Sequence, residues 1–407
     1  RAAPDPLGAA ALVGPPPAPP RRRIVDGVGA RVTPPRRIGV VTTSYPRWPG
    51  DAAGGFVRAH AQALAAATGA TVEVIAADAP GASIVDGNIA VHRVAAAPGL
   101  FYTGGAPDAL EAGASARAAA VFALRLAAAV GRHARGWDSI VAHWLAPSAL
   151  AALPSRGPLL AIGHGGDVHL LARAGLLPMT MALLAARRAR LVFVSGALRQ
   201  LALDAAPRRL RARLADASAV VPMGVEVASI VRAPRPARPR ILVLARLVPI
   251  KGVDVVLAAL ASIDRPVELH VAGDGPARAA LQAAATRHPC VWHGTVDTTT
   301  RDALLAAADV VVIPSRVLPS GRSEGLPQVA LEALAAGVPL VATRTGGLAD
   351  LPAPVVLVPP DDATALAAAI TATLAAPPPA EALRGLADRH RWAVVEPALR
   401  AHWLAAT

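Results

Sequence analysis

The stretch RILVLARLVPIKGVDVVLAALASI, residues 240–263, decides the fold. It begins with an apolar run of strand length, continues through Arg246 and Lys251, and ends in an alanine-rich apolar segment of helical length. A continuous apolar strand followed by a helix is typical of a parallel sheet, whose strands are buried on both faces. The stretch therefore predicts one strand–turn–helix unit of an α/β fold.

The same alternation extends in both directions from this stretch. It predicts first-half strands at 37–44, 71–77, 138–144, 158–164, 190–195 and 218–224, and second-half strands at 240–246, 267–273, 309–315, 338–343 and 354–360. Helical patterns follow several strands, at 56–68, 253–263, 277–286, 301–308 and 326–337. We therefore predict two Rossmann-like domains with parallel sheets, whose carboxyl ends face each other across a cleft.

Composition shifts set the predicted boundaries. Residues 1–36 are rich in proline and arginine and lack any period, which predicts a disordered arm. The first domain is expected at 37–228, a proline-containing linker at 229–239, and the second domain at 240–389. Residues 390–407 are predicted to form a helix that returns to the first domain.

Charge and residue usage narrow the function classes. The chain has 407 residues and a formal net charge of +13, which attracts anionic partners such as nucleic acid, a membrane surface or phosphorylated substrates. Aromatic residues make up only 3%, which argues against single-stranded nucleic acid. A single cysteine, Cys290, excludes an internal disulfide and a cysteine zinc cluster. The longest apolar runs contain arginine and are too short to span a membrane.

The segment SEGLPQVALEALAAG, residues 323–337, contains two carboxylates, Glu324 and Glu332. Pro327 suits the first turn of a helix, so the N–H groups near Gly325 and Leu326 face outward at its positive end. Ionised carboxylates accept hydrogen bonds from diols, and a helix start favours phosphate. This pattern favours a nucleoside-diphosphate sugar; the alternative is an exposed loop acid and a solvated helix residue.

Two cations and a glycine turn accompany the glutamates. Arg246 and Lys251 follow a strand and suit a diphosphate, arginine through forked hydrogen bonds and lysine as a point charge. The turn VAGDGP, residues 271–276, is not a dinucleotide fingerprint, because Arg278 occupies the third glycine position.

Taken in order, ARLVPIKG, VAGDGP, HGTV, VVIPSR, SEGLPQVALEALAAGVPLVAT and TGGLADL resemble the retaining glycosyltransferases of family four, which have the GT-B fold. The resemblance covers nearly the whole second domain. It implies that Glu324 contacts donor-sugar hydroxyls, Glu332 holds the ribose, Arg246 and Lys251 contact the phosphates, and main chain near Val296 borders the base. Asp350 stands where the family has glutamate, and the loop RVLPSGR, residues 316–322, is longer than in many members.

The first domain supplies further candidates. Gly54 and Gly55, after the first strand, leave room for main-chain N–H groups to approach a phosphate, as a family glycine does; an ordinary turn is the alternative. The resemblance places His164 near the donor sugar. Asp167 and His169 follow it as acceptor-side candidates, with Asp167 capping the next turn as the alternative.

Metal and serine chemistry receive little support from the sequence. His164, Asp167 and His169 lack a further ligand cluster nearby, and no DxD triplet is present, so no metal or cofactor is predicted. Ser195 and the pair Asp361–Asp362 are predicted to cap helices.

We therefore expect a metal-independent retaining glycosyltransferase with His164, Arg246, Lys251 and Glu324 at the reaction centre. We expect a glycan, lipid-linked or small-molecule acceptor, and a cytoplasmic location, either free or at the inner face of the membrane. The basic stretches 187–190 and 208–213 indicate either contact with an anionic membrane or solvated arginine faces. The alternatives are a silent GT-B subunit that binds sugar nucleotide or glycan, and an epimerase or phosphorylase; a phosphorylase needs a cofactor lysine, and Lys251 is the chain's only lysine.

Overall fold

Two parallel sheets form the framework in the computed structural model, which describes residues 35–78, 86–102, 109–110, 115–226, 230–234, 237–284 and 288–405. Residues 1–34 of the predicted disordered arm lie outside this range, as do residues 229, 235 and 236 of the predicted linker.

The first sheet has seven strands in the order β3-β2-β1-β4-β5-β6-β7, and every neighbouring pair is parallel. The strands are β1 Arg37–Val41, β2 Thr71–Ala77, β3 Ala90–Val94, β4 Ser139–His143, β5 Leu159–Gly163, β6 Arg190–Phe193 and β7 Ser218–Val220. The helices of this half are α1 Gly55–Thr68, α2 Ala116–His133, α3 Gly166–Arg173, α4 Leu177–Ala186, α5 Gly196–Ala205 and α6 Arg211–Asp216.

The second sheet has six parallel strands in the order β10-β9-β8-β11-β12-β13. They are β8 Arg240–Leu244, β9 Glu268–Ala272, β10 Cys290–Gly294, β11 Val310–Ile313, β12 Leu340–Thr343 and β13 Val356–Val358. The helices are α7 Val253–Leu260, α8 Arg278–Ala283, α9 Thr298–Ala307, α10 Gln328–Ala335, α11 Ala363–Ala375, α12 Ala380–Asp388 and α13 Trp392–Leu404.

Side chains alternate across the second sheet between two cores. Ile241 and Val243 belong to one apolar cluster and Leu242 to the other, as the two-residue period of a strand requires. Helices α7 and α11 cover one face, and α10 and α12 cover the other. This sheet, covered on both faces by helices, confirms the α/β class predicted from residues 240–263.

The structure adds two strands that the apolar runs did not predict, β3 and β10. Each lies at the edge of its sheet and is only partly buried. An edge strand packs less of its surface, so it tolerates His92 in β3 and His293 in β10 within runs too polar to resemble buried strands.

Helix α13 packs against the first sheet although it follows the second in sequence. Trp392, Val395, Leu399 and Trp403 belong to the same apolar cluster as the strands of the first sheet. The described parts of both sheets lie within one compact unit. The last helix therefore ties the end of the chain to its beginning.

Two predicted helix caps are confirmed. The Ser195 hydroxyl accepts a hydrogen bond from the N–H of Leu198 at the start of α5. Asp362 accepts one from Ala365 at the start of α11. Ser195 is therefore committed to helix capping.

No single helix in the described part of the chain is long and apolar enough to cross a membrane, and one bent pair, α3 and α4, meets the criteria by length and composition alone.

Candidate active site

A cavity of about 360 Å³ lies where the carboxyl ends of the two sheets face each other. Residues from the first half line one side, among them Phe56, Trp144 and His164. The second half contributes Arg246, Arg322, Ser323, Glu324 and Gly325. The cavity therefore lies in the predicted cleft, with cations and a carboxylate on one wall and imidazole and aromatic groups on the other.

Glu324 forms an ion pair on the second wall. Its Oε2 lies 2.9 Å from Lys251 Nζ, and both side chains are largely covered, with exposed fractions of 16% and 14%. Lys251 follows β8 and Glu324 precedes α10, so the two turns meet at one end of the sheet. The sequence predicted a phosphate role for Lys251 and a sugar role for Glu324, and the structure joins the two groups directly.

Gly325 has its position fixed by contacts on both sides of the cleft. A Cβ on this residue would lie 2.6 Å from the carbonyl oxygen of His164, on the opposite wall. The N–H of Gly347 donates to the Gly325 carbonyl at 2.5 Å, and Gly346, at φ +48°, leaves no room for a Cβ beside Glu324. The motif TGGLADL therefore holds the loop that carries Glu324, and both walls meet at Gly325.

Glu332 is the fifth residue of α10, as its spacing from Pro327 predicted, and its Oε1 accepts a hydrogen bond from Arg301 of α9 at 2.8 Å. Burial raises the pKa of the Glu332 carboxyl, and Arg301 opposes this shift. The positive charge of Arg301 therefore stabilises the ionised form of Glu332. The sequence did not reveal this partner.

Arg246 owes its position to the glycines of VAGDGP. A Cβ on Gly273, at φ +138°, would lie 1.8 Å from the Ala245 carbonyl oxygen, and one on Gly275 would lie 2.5 Å from that of Leu247. Only glycine lets this turn pack against the residues around Arg246. The motif therefore supports a cavity-lining cation.

His164 ends a chain of three hydrogen-bonded histidines. Its Nε2 lies 3.0 Å from His143 Nδ1, and His143 Nε2 lies 3.0 Å from His60 Nδ1. His60 and His143 are fully buried, and the His60 ring stacks on Trp392 of α13 at 5.0 Å. Burial lowers the pKa of His60 and of His164 to about 3 and holds that of His143 well below its usual range. The three rings are therefore neutral near pH 7.

The far end of this chain sets its direction. His60 Nε2 is buried and has no hydrogen-bond partner among the described residues. A buried N–H without an acceptor is rarer in proteins than a buried acceptor without a donor, so Nε2 is better left unprotonated. His60 then donates to His143, and His143 donates to His164. This order leaves the proton of His164 on Nδ1, the nitrogen that does not contact His143.

Asp167 serves the turn that carries His164. Its two carboxylate oxygens accept hydrogen bonds from the N–H groups of Leu145, His164 and Gly165 at 2.6, 3.0 and 3.1 Å. The carboxyl is buried, which raises its pKa against these hydrogen bonds. The prediction had Asp167 capping the following turn, whereas these contacts hold the preceding turn, at His164 and Gly165, and the N–H of Leu145.

His169 contacts the opposite wall of the cleft. Its Nε2 lies 3.5 Å from the N–H of Ser323, immediately before Glu324. Burial and Arg322 lower its pKa, so the ring is a neutral acceptor. The structure thus places His169 between the two halves of the chain.

The glycines after the first strand behave differently from each other. Gly54, at φ +73°, precedes α1, and a Cβ there would lie 2.6 Å from the Ser44 carbonyl carbon. Gly55 has open space around it, and its N–H donates to the Ala52 carbonyl at 3.2 Å. Their neighbours Ala53 and Phe56 line the cavity. The main chain therefore passes close to the cavity. Of the two residues, only Gly54 must be glycine, because a side chain there would collide with the backbone of Ser44.

The cavity collects some of the predicted residues and leaves others at its margin. His164, Asp167, Arg246, Glu324 and Gly325 line it, and Lys251 reaches it through Glu324. Six other predicted residues lie outside the described lining: Gly54, Gly55, His169, Val296, Leu326 and Glu332.

Sequence reasoning missed several cavity residues, Trp144 and Arg322 foremost. Trp144 follows β4 with φ +73°, a conformation that costs a non-glycine residue about 1–3 kcal/mol and that is concentrated at functional sites. Its ring lies 4.9 Å from that of His164. Arg322, the last residue of the long loop RVLPSGR, is 7% exposed and lines the cavity. The unusual loop length was the available signal for Arg322; none pointed to Trp144.

Comparison with known families supports the predicted resemblance for the second half. The family model for group 1 glycosyl transferases matches residues 238–376, which contain Arg246, Lys251, Glu324 and Glu332. A Mycobacterium tuberculosis GDP-mannose-dependent alpha-(1-6)-phosphatidylinositol monomannoside mannosyltransferase is 42% identical over 120 residues, 27% of this chain and 31% of that enzyme. The M. tuberculosis glycogen synthase is 35% identical over 191 residues, 43% of this chain and 44% of that enzyme. The chain thus spans less than half the length of these relatives.

Solved structures confirm the GT-B fold over most of the chain. Sucrose-phosphate synthase from Thermosynechococcus elongatus matches with a TM-score of 0.68 and 21% identity, covering 91% of this chain and 100% of that one. Anabaena HepE, solved with UDP and glucose, matches with a TM-score of 0.67 and 20% identity, covering 91% and 99%. The predicted fold of two Rossmann-like halves around a cleft is therefore confirmed.

Proposed function

We propose that this protein is a retaining glycosyltransferase that moves a sugar from a nucleoside diphosphate to an acceptor hydroxyl. One observation carries the proposal: the group 1 region places Glu324, Lys251 and Arg246 on one wall of a cleft whose other wall presents His164. A carboxylate for sugar hydroxyls and cations for a diphosphate, facing one cavity, suit this chemistry.

Donor binding divides among groups of the second wall. Glu324 accepts hydrogen bonds from donor-sugar hydroxyls, and Lys251, which pairs with this carboxylate, adds its single positive charge beside the diphosphate. Arg246 and the buried Arg322 hold phosphate oxygens. Glu332, oriented by Arg301, accepts the ribose hydroxyls, with main chain near Val296 beside the base. Main chain at Ala53, next to Gly54, approaches the phosphates from the first wall.

Transfer follows from departure of the diphosphate. The bond between the anomeric carbon and the phosphate oxygen breaks, the acceptor oxygen attacks from the same face, and the departing phosphate oxygen takes the acceptor proton. Arg246, Lys251 and the N–H groups of Gly325 and Leu326 stabilise the negative charge that develops on the phosphate. Neutral His164 donates from Nδ1 to a sugar hydroxyl. These groups supply the charge that a metal would otherwise provide, so we propose that the transfer step is metal-independent.

Acceptor binding belongs to the first wall, where Trp144, Phe56 and Tyr102 line the cavity. Aromatic faces suit the apolar face of a sugar ring, so the acceptor class we propose is a glycan or a lipid-linked glycan. The name of the mycobacterial mannosyltransferase, which acts on a phosphatidylinositol mannoside, supports a lipid-linked acceptor. Its GDP-mannose and the UDP bound by HepE make GDP- and UDP-sugars the first donors to test.

Calorimetric titration and slow hydrolysis of UDP-, GDP- and ADP-sugars test the proposal. We expect one donor to bind and turn over, with both properties lost in Arg246→Ala and Glu332→Ala. Glu381→Ala, on the exposed surface of α12, is the matched control and should behave as wild type. Binding of a sugar nucleotide without turnover in any acceptor screen would favour the silent subunit, and no binding at all would overturn the donor site.

A further inference from the structure

A second cluster of ligand-type side chains lies away from the cleft. Glu73 is the third residue of β2, His92 belongs to the edge strand β3, and His133 is the last residue of α2. None of the three lines the cavity between the sheets. The cluster therefore has no part in the site already described.

The spacing within this cluster does not suit hydrogen bonds. Glu73 Oε2 lies 3.4 Å from His133 Nδ1 and 3.7 Å from His92 Nε2, and the three atoms lie within 4.8 Å of one another. Hydrogen bonds between nitrogen and oxygen are about 2.7–3.2 Å long. Two ligands that are each about 2.0–2.1 Å from one tetrahedral ion lie about 3.3 Å apart. The separations therefore fit a shared ion better than direct contacts.

Surrounding groups hold the Glu73 carboxylate in this orientation. Arg37 donates to its Oε1 at 2.6 Å, and the indole N–H of Trp137 donates to Oε2 at 3.2 Å. Trp137 itself is packed over Gly39, where a Cβ would lie 2.1 Å from the ring. Such outer contacts orient metal-binding carboxylates in proteins. Oε2 is thereby held next to both imidazoles.

The cluster is open on one side. His92 and His133 line a surface pocket of about 900 Å³, which gives an ion and a fourth ligand access from solvent. Arg93, Arg125 and Arg132 share this lining, so the surroundings oppose a bare cation and favour an anionic fourth ligand such as hydroxide. A site with three protein ligands and one exchangeable position results.

We propose that Glu73, His92 and His133 bind one divalent zinc ion. Two imidazoles and a carboxylate form a common three-residue set for zinc, and imidazole ligands select it over magnesium or calcium. The ion joins β2, edge strand β3 and helix α2 at one point. Its role is to anchor the exposed edge of the first sheet, separately from sugar transfer.

A second histidine–glutamate group in the chain provides a matched control. His270 Nδ1 lies 3.0 Å from His293 Nε2, and His270 Nε2 lies 3.1 Å from Glu268 Oε2. His293 and Glu268 thus contact opposite nitrogens of the His270 ring. The residue types are the same as in the proposed site, but the three groups do not converge on one point where a single ion could bind all of them.

Cobalt and zinc titration of the full chain, after removal of metal with EDTA, tests the site. We expect one Co²⁺ per chain with the visible absorption of four-coordinate cobalt, displacement by Zn²⁺, and a melting temperature that rises with zinc concentration. His92→Ala and His133→Ala should weaken binding at least tenfold, whereas His293→Ala should not change it. Melting in EDTA shows that each variant is folded.

Two results would overturn the proposal. The first is the absence of four-coordinate cobalt absorption in the wild type. The second is cobalt affinity in folded His92→Ala or His133→Ala equal to that of the wild type, since the ion would then be bound elsewhere. Neither readout uses sugar transfer, so failure of the proposed function leaves this test intact.

Discussion

At the residue scale, His164 depends on two residues that never reach the cleft. His60 donates a hydrogen bond to His143, and His143 donates one to His164. At the other end of this chain, the His60 ring is buried and stacks on Trp392. A neutral imidazole that donates one proton differs chemically from an imidazolium or from an acceptor nitrogen. The tautomer of His164 is therefore determined by the burial of His60, two residues further along the hydrogen-bonded chain.

Acidification should destabilise the fold through these histidines. The folded pKa of each lies below the unfolded value near 6.5, so the unfolded chain binds more protons below that pH. Their contribution to stability is complete above about pH 6.5 and is lost as the pH falls toward 3. The slope is about 1.4 kcal/mol per pH unit for each proton. Denaturant unfolding at several pH values between 7.5 and 4.5 measures it.

His60→Leu removes one of these protons, so it should reduce the slope by about 1.4 kcal/mol per pH unit relative to wild type. His402→Leu serves as the comparison and should reduce the slope less, because His402 is only partly buried and its hydrogen bonds to Leu191 and Ala217 oppose the lowering of its pKa. An unchanged slope in His60→Leu would show that His60 is already protonated in the fold. Nitrogen NMR of His164 provides a second readout, with the proton expected on Nδ1.

At the scale of elements, helix α10 and the turn before it bring together groups from distant parts of the sequence. The start of this helix follows from Pro327, and its packing follows from the apolar face of residues 328–335. Both features were predictable from the sequence. Arg301, from α9, reaches Glu332 only because both helices lie on the same face of the second sheet. The helix was predictable, but its electrostatic partner was not.

Arg301→Gln should weaken donor binding about tenfold and lower the free energy of unfolding by about 1–2 kcal/mol, because it leaves the largely covered Glu332 without its cation. Arg391→Gln removes an ion pair whose side chains are 51% and 52% exposed and should change stability by less than about 0.5 kcal/mol. Calorimetry and denaturant unfolding measure both effects. Equal losses in the two variants would contradict the role given to Arg301.

At the scale of the whole molecule, several contacts among the described residues join the walls of the cleft. Gly325 packs on the His164 carbonyl, Ser323 contacts His169, and the N–H of Thr298 donates to the Gly50 carbonyl at 3.2 Å. Closing a cleft excludes water and completes a reaction site. The structure therefore presents the two halves in contact around the cavity.

Gly325→Ala should prevent this contact, because the added Cβ would lie 2.6 Å from a backbone oxygen. We expect sugar transfer to fall about 100-fold, as small misplacements of reacting groups can cause, while the fold is retained. Gly385→Ala, in the open surroundings of α12, is the control and should keep full activity. The measurement is the rate of sugar transfer in both variants. A wild-type rate in Gly325→Ala would contradict the requirement for close contact between the two walls.

Membrane contact is a further expectation at this scale. Leu176, Met179 and Leu183 are 45%, 54% and 40% exposed along α4. Several arginines of the two basic stretches bind carbonyl groups instead: Arg187, Arg190, Arg211 and Arg213. The apolar stripe is therefore the better candidate for insertion into a membrane surface. Met179→Ser with Leu183→Ser should reduce binding to anionic vesicles at least fivefold, measured by co-sedimentation, whereas Val231→Ser, 85% exposed elsewhere, should not.

The sequence by itself determined the α/β class, the two parallel sheets, the caps at Ser195 and Asp362, and the group 1 motifs with Glu324 and Glu332. These features depend on local period, on turn residues or on short-range spacing, all of which are written along the chain. Tertiary structure decided the rest: the edge strands β3 and β10, the pairing of Lys251 with Glu324, the histidine chain behind His164, and the cluster at Glu73. Each joins residues far apart in sequence, and only the packing of strands and helices brings their side chains within contact distance.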